Sequence, residues 1–237
     1  MKAVAGTPYW KTIPRSINGL ALVSIIVLLF KVFWLNHVVE PFEGMNQLGL
    51  VVEGLLASVL ASYVFFLIVV HFKDTRDKAH IYPHVLRWAD HVVGECRSQI
   101  SAFAKHSGVQ ADIESITSDD VDQMLQRIDP KTNAPLVFSI GHYANWLQYL
   151  EHHRVRTKRH VAKIMSQLMF LEAPLVSLVT KIDDSTHFMI IEMIHAVPIK
   201  NSDLSAFSKE FFGYCVACRD LQDFIRSHPY APARFEG

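Results

Sequence analysis

A stretch from Leu20 to His71 that is almost free of charge constrains this chain of 237 residues more than any other feature. It is long enough for two helices of about 20 residues, the length needed to cross roughly 30 Å of hydrocarbon. We predict membrane spans at about residues 17–39 and 45–72, after a cytoplasmic segment at residues 1–16. The charged residues within the stretch are Lys31, Glu40, Glu43 and Glu53.

A cleaved signal peptide is the competing interpretation of the first span. It would need a short apolar core followed by a small-x-small cleavage site, and the sequence that follows the core, KVFWLNHVVEPFEG, contains no such site. Basic residues precede the first span and follow the second, whereas the charged residues of the connection are all acidic. Because basic residues favour the cytoplasmic side, we predict two cytoplasmic termini and a short outer loop around Pro41 to Gln47.

Two opposite charges are predicted to lie at the same depth in this hairpin. Phe42 is midway between Lys31 and Glu53 in the sequence, so an antiparallel pair that turns there places both roughly 12 Å from the outer helix ends. A charge at such depth is costly unless it is paired, hydrated or able to snorkel. Three interpretations remain open: an ion pair that sets the hairpin register, snorkelling without a role, and a polar line along a water-filled path in an oligomer.

A stripe of small residues marks the second span. Its members recur at helical spacing, and helices in lipid associate through such stripes by close backbone approach. The stripe serves either to pack the two helices of one hairpin or to join neighbouring copies into a homo-oligomer. We call the following residues the small-residue stripe: Gly54, Ala57, Ser58, Ala61 and Ser62.

The rest of the chain has the composition of a soluble domain, which we place at residues 80–228 with a tail at 229–237. Apolar residues recur at helical spacing after Pro83, after Pro135 and from about Ser202 to Pro229. Residues 187–199 form an apolar run that fits a helix or a strand. We therefore predict an all-α fold: an N-terminal two-helix transmembrane hairpin followed by a cytosolic helical bundle.

The strongest polar cluster is HHRVRTKRHVAK, residues 152–163, which contains no acid. Basic clusters attract phosphate backbones and anionic lipid headgroups. The alternatives are a solvated face, or a face paired with the acidic stretch from Asp112 to Asp129. The candidate partner-binding or phosphate-binding residues of this basic run are Arg154, Arg156, Lys158, Arg159 and Lys163.

Enzymatic and metal-binding motifs are not evident in the sequence. Cys215 and Cys218 have metal or redox spacing, but no second ligand pair accompanies them and core packing is the simpler interpretation. Five histidines could cluster, yet none has a recognised ligand spacing, and no nucleotide-binding or hydrolase motif is present. We expect no cofactor, no bound metal and no enzyme. The histidines are His152, His153, His160, His187 and His195.

The hairpin from Ile17 to Phe72, joined to a compact helical domain that lacks catalytic motifs, resembles the two-helix membrane effectors of bacterial antiphage defence, including the retron-associated kind. The resemblance is one of architecture over the whole chain. It implies an inner-membrane protein that disrupts the membrane and stops growth after infection. For a retron member it implies a reverse transcriptase and its RNA–DNA hybrid as partners, which we would place at the basic run. A membrane-tethered scaffold that recruits a protein or nucleoprotein is the alternative.

Overall fold

The computed structural model describes residues 15–34, 44–196 and 201–231. The chain divides into two compact units, residues 1–78 and 79–237. Within the described ranges the structure is mostly helical, and it contains one two-stranded sheet. Residues 41–43 of the predicted outer loop, the first 14 residues and the end of the tail lie outside the described residues.

Unit 1 is built from two helices that pack side by side. Helix α1 covers Arg15–Phe33 and α2 covers Met45–Phe65, followed by a π-helical segment at Phe66–His71. Both helices are long and apolar enough to cross a membrane, and only 11% and 6% of their most apolar windows is buried. A core helix of a soluble protein would be mostly covered, whereas these two are not. Helix α1 ends earlier than the predicted span, and residues 35–39 lie outside the described part.

Unit 2 is a helical domain with its own apolar core. Helix α8 packs against α4, α6 and α7, and α5 packs against α6, α7 and the sheet. The largest fully buried side chains include Trp146, Tyr82, Tyr214 and Phe103. The elements in chain order are α3 (Phe72–Ser107), α4 (Ser118–Leu125), β1 (Asn133–Ser139), β2 (His142–Asn145), α5 (Trp146–Met165), a 3₁₀ turn (Leu168–Phe170), α6 (Ala173–Asp183), α7 (Thr186–Ala196), a 3₁₀ turn (Ser205–Phe207) and α8 (Ser208–Ser227).

The helix ends of unit 2 follow local side-chain chemistry. Thr117 caps α4 and Asn145 caps α5, each in a reciprocal capping box that satisfies two backbone N–H groups. Helix α3 ends at Ser107, and the next residue, Gly108, has a φ of +75°, the left-handed conformation common after a helix. Pro83 lies inside α3 and not at its start, since the helix already begins at Phe72.

The predicted helix after Pro135 is wrong as far as Asn145, because residues 133–145 form an antiparallel hairpin, and it is helical from Trp146 onward. Its two-residue turn, Ile140-Gly141, has Gly141 at φ +81°, a conformation that costs glycine little. The undecided segment 187–199 is helical as far as Ala196, and residues 197–199 are not described. The last helix begins at Ser208, six residues later than Ser202, because a 3₁₀ turn precedes it.

Candidate functional site

The charged groups of the hairpin meet across the two helices of unit 1. The Lys31 ammonium group donates to the Glu53 carboxylate, and the Lys31 side chain is 16% exposed while that of Glu53 is 42% exposed. Gly49, one turn before Glu53, gives the Lys31 side chain room: a Cβ at Gly49 would lie 3.4 Å from Lys31 Cε. The structure thus brings together the two residues predicted to reach equal depth.

A second polar contact ties the same helices near their other ends. The Tyr63 hydroxyl donates to Asn18 Oδ1 at 2.7 Å. Asn18 precedes Lys31 by 13 residues, or roughly 20 Å along a helix. Sequence reasoning missed this pair, although its members are also nearly equidistant from the centre of the connection. Two polar contacts at different heights fix the register of α1 against α2.

The small-residue stripe faces away from α1. All five of its members are exposed in the hairpin, and a Cβ added at Gly54 would have 4 Å of open space around it. The residues of α2 that contact α1 lie roughly 150° around the helix from the stripe, at 100° per residue. The stripe therefore does not pack the two helices of one hairpin together. An apolar groove continues alongside it, lined by Leu60, Ala61, Val64, Phe65, Ile68 and Val69.

Two of the five basic residues of the run on α5 are committed to acidic side chains within unit 2. Arg154 pairs with Glu151 at 2.7 Å and with Glu192 at 3.0 Å. Lys158 pairs with Asp183 at 3.2 Å. The alternative of pairing with the acidic stretch at residues 112–129 is not what these two side chains show, since their partners lie on α5, α6 and α7.

The remaining basic side chains of the run lie on its outer side. Arg156 pairs with the buried Glu95 at 2.9 Å while half of its own side chain stays exposed. Arg159 and Lys163 are exposed, one turn apart on α5. An anionic partner can therefore reach these three side chains, whereas Arg154 and Lys158 are committed to internal acids.

A buried polar network joins α3 to α5 beneath this surface. Glu95 Oε2 accepts a hydrogen bond of 2.6 Å from His153 Nδ1, and its other oxygen accepts from Arg156. Burial alone would raise the pKa of Glu95, but the His153 hydrogen bond and the nearby charges of His153, Arg156 and His160 lower it below its ordinary value. The Glu95 carboxylate is therefore charged, and its contacts with His153 and Arg156 attach α5 to α3 along the basic run.

Two further clusters are core packing. Cys96 Sγ and Cys215 Sγ lie 3.8 Å apart, with Cys218 beside them, and all three thiols are free and buried. Burial raises the pKa of Cys96, so the thiolate, the reactive form, is disfavoured. His187 stacks on Tyr214, and burial lowers its pKa to about 3, so it is neutral.

The other candidate histidines do not converge. His153 faces Glu95, His160 stacks on His91 at 5.1 Å, and the side chain of His195 lies outside the described part. Within residues 15–34, 44–196 and 201–231, no group of three or more His, Cys, Asp or Glu side chains is arranged to hold a metal ion.

No protein-family model matches the chain. No curated protein matches it, and neither does a solved structure.

Proposed function

We propose that this chain is an inner-membrane effector of antiphage defence, whose hairpins associate and disrupt the membrane when the cytosolic unit is triggered. It acts without catalysis, as a homo-oligomer in contact with lipid. Both termini face the cytoplasm, since Lys2, Lys11 and Arg15 precede the first span and Lys73 and Arg76 follow the second.

The observation that supports association is the exposure of the small-residue stripe. In lipid there is no hydrophobic drive between helices, so close packing of small residues supplies the attraction. A stripe turned away from α1 leaves α2 free to contact α2 of another copy, while α1 stays attached through Lys31–Glu53 and Asn18–Tyr63. The Lys31–Glu53 pair fixes the register of each hairpin, and the leak path forms between neighbouring hairpins.

The trigger acts on unit 2. Arg156, Arg159 and Lys163 supply an accessible cationic surface on α5, and a nucleoprotein bound there is the partner that the resemblance implies. Loss or change of that partner releases the hairpins to associate.

A matched pair of glycines tests the association. Gly54 in the stripe and Gly19 on α1 are both exposed helical glycines with open space around them. We expect expression of the parent chain to depolarise the inner membrane, in resting or in infected cells. The Gly54→Leu chain should fail to depolarise, whereas Gly19→Leu should behave as the parent. Equal behaviour of the two variants, or a steady potential in the parent under both conditions, would overturn the proposal.

A membrane-tethered binding scaffold is the second candidate, favoured by the separate core of unit 2 and its accessible basic residues. In that case the hairpin is only an anchor. Replacing residues 15–71 by an unrelated two-helix anchor distinguishes the two, because a scaffold keeps its function after the exchange and an effector loses it.

A further inference from the structure

The β-hairpin of unit 2 ends in an apolar tip whose side chains are all more than half exposed. Ala134 and Ala144 are buried and fix the base of the hairpin to the core. Beyond Leu136 the alternation of buried and exposed residues stops, and both faces of the ribbon are open. The hairpin tip consists of Val137, Phe138, Ile140 and Tyr143, which are 55%, 58%, 102% and 56% exposed.

We propose that the hairpin tip inserts into the interfacial layer of an anionic bilayer. The inference rests on the proposed membrane location of the chain, because the two spans of unit 1 make a bilayer available to the unit that begins at residue 79.

The charge around the tip favours an anionic surface. Residues 130–150 contain Lys131 and no acidic residue; of the acids that flank them, Asp129 accepts a hydrogen bond from the Lys131 backbone N–H and Glu151 pairs with Arg154. A groove beside the tip is lined by Lys105 and His106 from the end of α3, together with Tyr143 and Trp146. Apolar side chains at the tip and cations behind it match a layer that is apolar inside and negatively charged at its surface.

The shape of the tip also favours lipid over a second copy. Its four side chains expose on the order of 500 Å², which is below the about 800 Å² that each partner buries in a stable protein interface. Tyr and Phe side chains are favoured where hydrocarbon meets headgroups. The turn at Ile140-Gly141 leaves backbone groups that need water or headgroup partners, so the insertion stops at the interface and does not span.

A fluorescent label tests the insertion in the full chain. Ile140→Cys is labelled with an environment-sensitive dye and reconstituted in vesicles of phosphatidylcholine alone or with phosphatidylglycerol. The Ile140 side chain is fully exposed, and the three native cysteines are buried, so the label reports the tip. Gln110→Cys, at an exposed loop position, is the control.

We expect the emission from position 140 to shift to shorter wavelength with phosphatidylglycerol, and a lipid-attached quencher to reduce it, while position 110 does neither. An aqueous emission at 140 in both lipids would overturn the inference. So would a shift that follows the protein-to-lipid ratio and not the lipid charge, because it indicates a second copy. Carbonate extraction of the same vesicles separates the two proposals: a retained chain with an aqueous tip contradicts only the insertion, and an extracted chain contradicts the membrane location as well.

Discussion

Removing one charge of the Lys31–Glu53 pair is expected to have unequal effects on the hairpin. The two residues lie at the same depth, but a lone lysine can extend its long side chain toward the headgroups. Glu53 is eight residues into α2, roughly 12 Å from its start, and its side chain is short. Lys31→Met, which leaves Glu53 unpaired, should therefore destabilise the inserted hairpin more than Glu53→Leu.

The magnitudes follow from the cost of an unpaired charge in lipid. An isolated charge near a helix centre costs about 2.5–3.5 kcal/mol. Lys31→Met should therefore make insertion of the hairpin less favourable by about 2.5 kcal/mol. Glu53→Leu should cost about 1 kcal/mol, because the remaining lysine reaches water. The double variant should be close to the parent, since an ion pair replaced by apolar groups is often neutral.

A glycosylation-based insertion assay measures the apparent free energy of inserting the hairpin into the bilayer for each charge variant, because a lone charge costs the same in joined and in separated helices and only the insertion step reports it. Val32→Met, at an exposed neighbouring position, serves as the control for the added methionine. An equal loss in the two single variants would refute the greater reach of a lone lysine. Single variants that insert better than the parent would refute the pairing, because removal of an unpaired charge favours insertion.

Two further predictions concern packing and pH. Gly49→Leu should lower the free energy of separating α1 from α2, measured by steric trapping in bicelles, by about 1–3 kcal/mol because its side chain displaces Lys31. Gly49→Ala should be nearly neutral. A Gly49→Leu chain with the free energy of the parent would contradict the contact. Glu95→Gln should destabilise the chain at pH 7 by about 2 kcal/mol in chemical denaturation. The lowered pKa of Glu95 makes its contribution complete above the ordinary value of 4.5 and lost as pH falls through the folded value. The variant should therefore show a weaker acid dependence than the parent, and an equal dependence would exclude Glu95 as its source.

The arrangement of the hairpin helices could be read from the sequence because it depends on few variables. Helical rise is constant and the connection is short, so two charges equidistant from its centre lie at equal depth. The orientation of the small-residue stripe could not be read in the same way. Which face of α2 meets α1 depends on the rotation of each helix about its own axis, and Gly49 and Tyr63, which mark that face, carry no distinctive pattern.

The β-hairpin escaped prediction for a related reason. Val137, Phe138, Tyr143, Ala144 and Trp146 fit a helical repeat as well as they fit two strands. The turn between the strands is Ile140-Gly141, and not the Asn-Gly or Asp-Gly pair that signals a tight hairpin. Apart from Glu151, the acidic partners of the basic run lie far away in sequence, on α3, α6 and α7, and that pairing was therefore missed. Contacts of that kind are set by tertiary packing.

The proposed leak through associated hairpins is open to direct measurement in a purified system. The full chain, without any partner, is reconstituted into vesicles that hold a potassium diffusion potential, and the potential is followed over a range of protein-to-lipid ratios. We expect the potential to collapse steeply with chain density for the parent and the Gly19→Leu chain, and to persist for Gly54→Leu. A potential that survives at every density in the parent chain would contradict the leak.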